Sequence, residues 1–314
     1  MGDGSEPRAE NDRFVLDQLW GRSSKVTQRY ADWVEGDLKT SEAEKDAAFV
    51  RLFLIADFWG DHGPRKAISL RRVREIVADA SGDYSIPFDN VYQTSGGFVC
   101  RQTAGNNPEL MGLTWKLGSN FHSEIIVPLA KFRQNSLSDL APWLDGYEHT
   151  HRFLRLCHKQ RYFSPTIIDL NILLHVLLGI ARIQVALAKE FSWNGPVYLK
   201  MEISGIWRTI PFFDTSKVLD EYEKHGMALG LGEKVAIHSG REQSSFIEIT
   251  RPDDNDDEGQ RVLVALRLFI PIAIALGIPV PEDEHSDWGD YIGDFLRAGL
   301  RALEVQKNRS RLKA

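Results

Sequence analysis

The sequence predicts an α+β protein that is mainly helical: an N-terminal helical domain ending in a hairpin, then a C-terminal helical domain carrying a small antiparallel sheet. Three observations predict this. An amphipathic stripe of Leu70, Val73, Ile76 and Val77 is followed by Gly96-Gly97 and a change to strand-like text. Residues 167–191 are apolar on most sides, as a helix at the centre of a soluble domain must be. Val197, Leu199, Met201 and Ile203 then alternate with Tyr198, Lys200, Glu202 and Ser204, giving one dry and one wet strand face.

The chain has 314 residues, which at roughly 150 per domain is about two domains. With 43% hydrophobic and 26% charged residues and a net charge of -6, collagen-like, disulfide-scaffold and wholly disordered classes are excluded. Only Cys100 and Cys157 are present, too few for a disulfide framework, so a reducing cytoplasm is expected. Residues 1–12 are acidic and polar with no apolar core segment, and read as a flexible tail rather than a signal peptide. The apolar runs 170–181 and 268–281 are shorter than the ~20 residues of a spanning helix, so no membrane partner is expected.

In chain order, residues 13–35 place Phe14, Leu19, Val26, Tyr30 and Trp33 at mostly helical spacing. Ser41 and Glu44 fit a capping box, in which hydroxyl and carboxylate satisfy first-turn amides, before a helix over 47–59. Ser69 caps the next helix, whose Arg71, Arg72 and Arg74 fall largely off its apolar stripe. A brief helix is read within 85–94, with Pro87 tolerated in its first turn. Residues 98–102 and 110–117 form a hairpin across the turn-rich 103–109. Breakers through 121–145 place a domain boundary there, dividing 13–125 from 126–314. Helices follow at 149–161 and 167–191. Strands at 197–204 and 206–213, with a hairpin of 234–238 and 246–250, make the small sheet. A helix over 260–276, with acidic residues at its start and Pro271 inside, precedes a final amphipathic helix and a basic tail at 307–313.

The segments Leu54-Ile55-Ala56-Asp57, Ile68-Ser69-Leu70-Arg71-Arg72-Val73, Gly97-Phe98-Val99-Cys100-Arg101 and Leu113-Thr114 resemble the winged-helix domain of MarR-type bacterial regulators, over about a quarter of the chain. The resemblance implies that residues 85–94 enter a major groove and that 102–107 touch the backbone or minor groove. Asn90 and Gln93 are of the type that hydrogen-bonds base edges. Arg71, Arg72, Arg74 and Arg101 are candidates for phosphate contacts, and with Asn90 and Gln93 complete the candidate DNA-binding set. Winged-helix readers commonly pair, so a homodimer on double-stranded DNA is expected. Against this, residues 13–118 hold 14 basic and 14 acidic side chains, not the positive excess of a nucleic-acid binder. A solvated face or protein-association module is the plainer alternative.

Other constellations are weaker. His151 and His158 lie seven residues apart, about 10.5 Å along a helix, too far to chelate one ion alone. Arg152 with His158 resembles the short pattern of HEPN-type helical ribonucleases. A calcium loop from Asp254 fails at its twelfth position, Ala265. Residues 226–232 are glycine-rich without the strand-to-helix context of a phosphate loop. Residues 151–213 diffusely resemble the region following Schlafen-type nucleic-acid-binding domains in bacterial proteins. No catalytic residue, metal or cofactor is assigned. The resulting expectation is a cytoplasmic DNA-binding or regulatory protein without catalytic activity, its C-terminal domain sensing a ligand or self-associating. The alternatives are a protein-interaction component of a larger assembly and a helical ribonuclease using His151, Arg152 and His158.

Overall fold

A nine-stranded sheet, not a pair of helical domains, organises the chain. The structure, a computed structural model, describes residues 48–56, 67–81, 88–102, 112–119, 121–193, 197–232, 234–237, 257–280 and 288–312. The expected tail, the helix over 13–35, the capping box at Ser41, the hairpin tip and the strand at 246–250 lie outside these residues. So do Asp254 to Asp256 of the calcium-loop reading.

The main path of the sheet runs β2-β3-β4-β5-β1-β7-β9, formed by β1 (Ala48–Ala56), β2 (Asn90–Thr94), β3 (Gly97–Arg101), β4 (Thr114–Gly118), β5 (Ser123–Arg133), β7 (Val197–Ser204) and β9 (Lys234–Ile237). All its pairings are antiparallel. Beyond residue 129, β5 leaves β1 and pairs with β6 (Thr166–Asp169), which in turn pairs in parallel with β8 (Thr209–Phe212). Gly97 is required by close approach: a Cβ there would lie 2.0 Å from the Leu117 carbonyl oxygen of the neighbouring strand.

Helices cover the sheet. They are α1 (Leu70–Ser81), the short α2 (Leu137–Leu140), α3 (Thr150–Lys159), α4 (Leu173–Glu190), α5 (Ser216–His225), α6 (Asp257–Ala275) and α7 (Trp288–Leu312). Central among them is α4, which packs against α1, α6 and α7. Its Leu177, Ile180, Ala181 and Ile183 are fully buried, and burial on this scale is the main favourable term in folding. Phe213, Phe269 and Phe295 bring the start of α5, α6 and α7 together through edge-to-face rings 4.7–6.0 Å apart.

The mainly helical expectation is therefore corrected: of the described residues 46% are helix and 26% strand, around one large sheet. Residues 47–59, read as a helix, hold β1. Val50, Leu52 and Leu54 face the core, yet Phe49, Arg51 and Phe53 on the other face are also buried. A strand buried on both faces loses the alternation that marks strands, and its apolar run then looks like a helix. Asn90 to Thr94, expected as the helix that reads a groove, is the edge strand β2. With both elements changed, the described residues of this region do not follow the element order of a winged helix. The breaker-rich stretch after Phe121 contains β5, the longest strand, and the 125/126 division falls inside it. The apolar stretch from Ile167 divides into β6 and α4. The small sheet expected at 197–250 is instead part of the large one, with β8 paired in parallel to β6.

Candidate functional site

The predicted basic residues fall on α1 and the hairpin beside it. Ser69 Oγ accepts the Arg72 amide at 3.2 Å, so the expected N-cap forms. Val73, Ile76 and Val77 then bury one face and leave Arg71, Arg72 and Arg74 exposed. Arg71 Nε donates to Glu75 Oε1 at 2.9 Å, and Arg72 reaches Glu75 at 3.2 Å and Glu190 of α4 at 3.0 Å. These bonds, to Glu190 first, raise the Arg72 pKa, while Arg71 and then Arg72 hold the Glu75 carboxyl below its ordinary value. Arg74 donates through Nε and Nη2 to the Val91 carbonyl at 3.1 and 2.7 Å, tying α1 to the edge strand. Asn90 and Gln93 flank that carbonyl's residue on β2 and are exposed, and Asn90 pairs across the ladder with Arg101. All six predicted residues thus share one region, but Asn90 and Gln93 project from a strand edge rather than a recognition helix.

Beside α1 lies an open groove of about 400 Å³. Arg72, Ile76 and Asp79 of α1 form one wall, Arg182, Ala186, Lys189 and Glu190 of α4 another, and Arg261 of α6 closes it. Four cations face two carboxylates across an apolar strip, the composition of a site for an anion with some apolar surface. Arg182 and Lys189 are interruptions in an apolar helix when read in sequence. Their spacing with Ala186, four and three residues apart, is the signal that places them on one helix face. Nothing local in the sequence joins Arg261 to them.

Two other polar clusters are closed on themselves. At the C-terminal ends of β6 and β8, Tyr147 donates to Asp169 at 2.7 Å, and Asn171 donates to the same carboxylate through its backbone and side chain. The Asp214 amide donates to Asn171 Oδ1 at 2.6 Å. The Asp214 carboxylate, fully buried, accepts the amides of Glu148 and His149 at 3.0 and 2.7 Å and Arg301 Nε at 2.6 Å. Such a network clamps α7 and the start of α3 to the strand ends. On the sheet's other face, Glu124 bridges Arg51 at 2.9 Å and Lys116 at 3.2 Å.

The histidine reading finds no support in geometry. His151 and His158 are exposed on α3, and Arg152 between them is held by Asp220 at 2.5 Å and Glu223 at 3.0 Å. Both bonds raise the Arg152 pKa, Asp220 more than Glu223. Among the described residues no three His, Cys, Asp or Glu side chains converge as a metal site, and no helix is long and apolar enough to cross a membrane. Burial pushes the Cys100 and Cys157 thiols up to about 12, so both behave as core groups rather than nucleophiles. No family model matches the chain, and no curated protein or solved structure is detectably similar to it.

Proposed function

We propose that this chain is a cytoplasmic nucleic-acid-binding or regulatory protein that holds phosphates on the exposed side of α1 and in the groove between α1, α4 and α6. One observation supports the reading above the others. Among the described residues, Arg71, Arg72, Arg74, Arg182, Lys189 and Arg261 share this surface with Glu75, Asp79 and Glu190, in a chain whose net charge is -6. A local positive excess on an acidic protein is the electrostatic footprint of polyanion binding. The Arg71–Glu75 and Arg72–Glu75 ion pairs are exposed, so they contribute little and yield to a phosphate, which arginine holds in a bidentate fork. The groove's openness along α1 suits a backbone lying across it. Two buried, unpaired thiols suit a reducing compartment.

The test is fluorescence anisotropy of a labelled duplex titrated at rising salt. Neutralising about three phosphates gives a log–log salt slope near -2.7, hence a loss of about 40-fold between 50 and 200 mM. Arg72→Ala with Arg182→Ala is expected to lower affinity for all duplex sequences alike and to flatten that slope. Binding unchanged in slope and affinity removes the groove from the account. Absence of any complex at about 50 mM salt sinks duplex binding itself.

A further inference from the structure

A second surface lies at the end of the sheet where β6 and β8 begin. Register places Arg133 of β5, Thr166 of β6 and Thr209 of β8 side by side, so the chain enters β6 and β8 and leaves β5 at one edge of the sheet. Lys131 Nζ donates to the Gly205 carbonyl at 2.9 Å and fixes β5 to the turn before β8. The Arg208 amide donates to the Gly230 carbonyl at 2.8 Å, and the Gly230 amide to Thr209 at 2.9 Å, laying the 226–232 loop against the same turn. Gln160, just after α3, accepts the Met227 amide at 2.9 Å and joins the end of α3 to that loop.

What this edge presents is unusual in two respects. Phe163 is 57% exposed, Trp207 52% and Leu231 80%, three of the seven exposed large apolar side chains among the described residues gathered at one end of the sheet. Three exposed arginines stand at the same end: Arg133, Arg161 and Arg208. Arg161 and Arg208 sit at φ 64° and 54°, left-handed backbone that a non-glycine residue adopts only when its surroundings hold it there. The segments 131–136, 158–166, 203–213 and 224–232 contain no Asp or Glu at all. The carboxylates packed against these segments are already bonded, Asp139 to Ser136, Glu221 to Lys224, and Asp220 and Glu223 to Arg152 and Lys159. His158 touches the Phe163 ring edge-on, centroids 5.6 Å apart, which orients the ring without covering it.

We infer that this edge binds single-stranded nucleic acid, with bases stacking on Trp207 and Phe163 and phosphates held by Arg133, Arg161 and Arg208. The charge selects a polyanion, and the two exposed rings select one whose flat faces are free. A duplex keeps its base faces inside the stack, and an acidic peptide has no such faces to offer. The inference stands on its own residues and does not rest on the groove beside α1.

The experiment uses the full chain and labelled oligonucleotides of about 12 residues, within the range of one such platform. Oligothymidylate, oligouridylate, an abasic strand and a duplex are compared at about 50 mM salt by anisotropy. One or both base-bearing single strands are expected to bind more tightly than the abasic strand and the duplex. Tighter RNA binding assigns a contact to the 2′-hydroxyl, and equal binding assigns recognition to stacking and backbone alone; either supports the inference. Trp207→Ala and Phe163→Ala are each expected to weaken single-strand binding about tenfold, with Trp207→Phe retaining most of it. Neither exposed substitution is expected to alter duplex affinity, whereas Arg72→Ala with Arg182→Ala leaves single-strand affinity intact, so failure of one site is distinguishable from failure of the other. Equal binding of abasic and base-bearing strands overturns the inference, as does a poly-glutamate peptide competing on equal terms. A Trp207→Ala variant that changes the sedimenting oligomer but not oligonucleotide affinity assigns the patch to a subunit interface and also overturns it.

Discussion

Replacing Asp214 by alanine tests whether the network at the ends of β6 and β8 is structural. In the native protein this fully buried carboxylate accepts two amides at the start of α3 and the Arg301 guanidinium of α7. Breaking a buried ion pair by removing one partner costs about 3–5 kcal/mol, because the remaining charge is left uncompensated. Arg301 is 26% exposed and keeps Glu148 at 3.2 Å, which moves that cost to the lower end. The two amides lie near the surface, where water replaces part of the lost bonding, so each adds about 1 kcal/mol. The expected total is about 4–5 kcal/mol. In urea, with a slope near 3 kcal/mol per molar, the unfolding midpoint falls by about 1.5 M at constant slope. Arg301→Met is expected to cost about 3 kcal/mol, since Asp214 retains both amide donors but is left as a fully buried charge without its cation. The double variant then loses less than the sum, because the two side chains form one unit. An Asp214→Ala midpoint within about 0.3 M of the parent refutes the reasoning and reopens Asp214 as a functional carboxylate.

Three further outcomes follow from single environments. Gln184 is 3% exposed in α4 with neither amide atom hydrogen-bonded, so Gln184→Leu is expected to raise stability by about 1 kcal/mol in the same urea assay; a loss refutes it. Gly230→Ala puts a Cβ 2.0 Å from the Ile206 carbonyl oxygen, and calorimetry is expected to show a lower Tm, with an unchanged Tm contradicting the backbone contact. Burial lowers the His122 pKa to about 4, so the unfolded chain binds a proton there that the folded chain refuses. Stability from this residue is complete above about 6.5, falls as pH drops towards 4, and amounts to about 3 kcal/mol. His122→Asn is expected to flatten the acid limb of a stability–pH curve, and an unaltered limb assigns the acid loss to other groups.

How legible the molecule is in its sequence depends on where each element's partners lie. Helix α1 was readable because its determinants are local: the Ser69 cap and the Leu70, Val73, Ile76, Val77 stripe fall within three turns. The same holds for α3, for the β3–β4 hairpin and for β7 as a strand, although Lys200 and Ser204 on its expected wet face are buried. The strands β1 and β5 were not readable, because both of their faces are covered and burial on two sides erases the period of two. With β1 as a helix, the hairpin beside it has the sequence position of a wing; with β1 as a strand it is the edge of the sheet. The arginines of α1 were found from sequence, since exposure opposite a stripe is a local property. Arg182, Lys189 and Arg261 joined them only when α4 and α6 packed against α1. Phe163 and Trp207, 44 residues apart, meet one edge only through the parallel pairing of β6 with β8. Local chemistry thus determined which side chains are charged, capped or striped; which of them stand together was decided by strand pairing and helix packing, whose contacts span the whole chain.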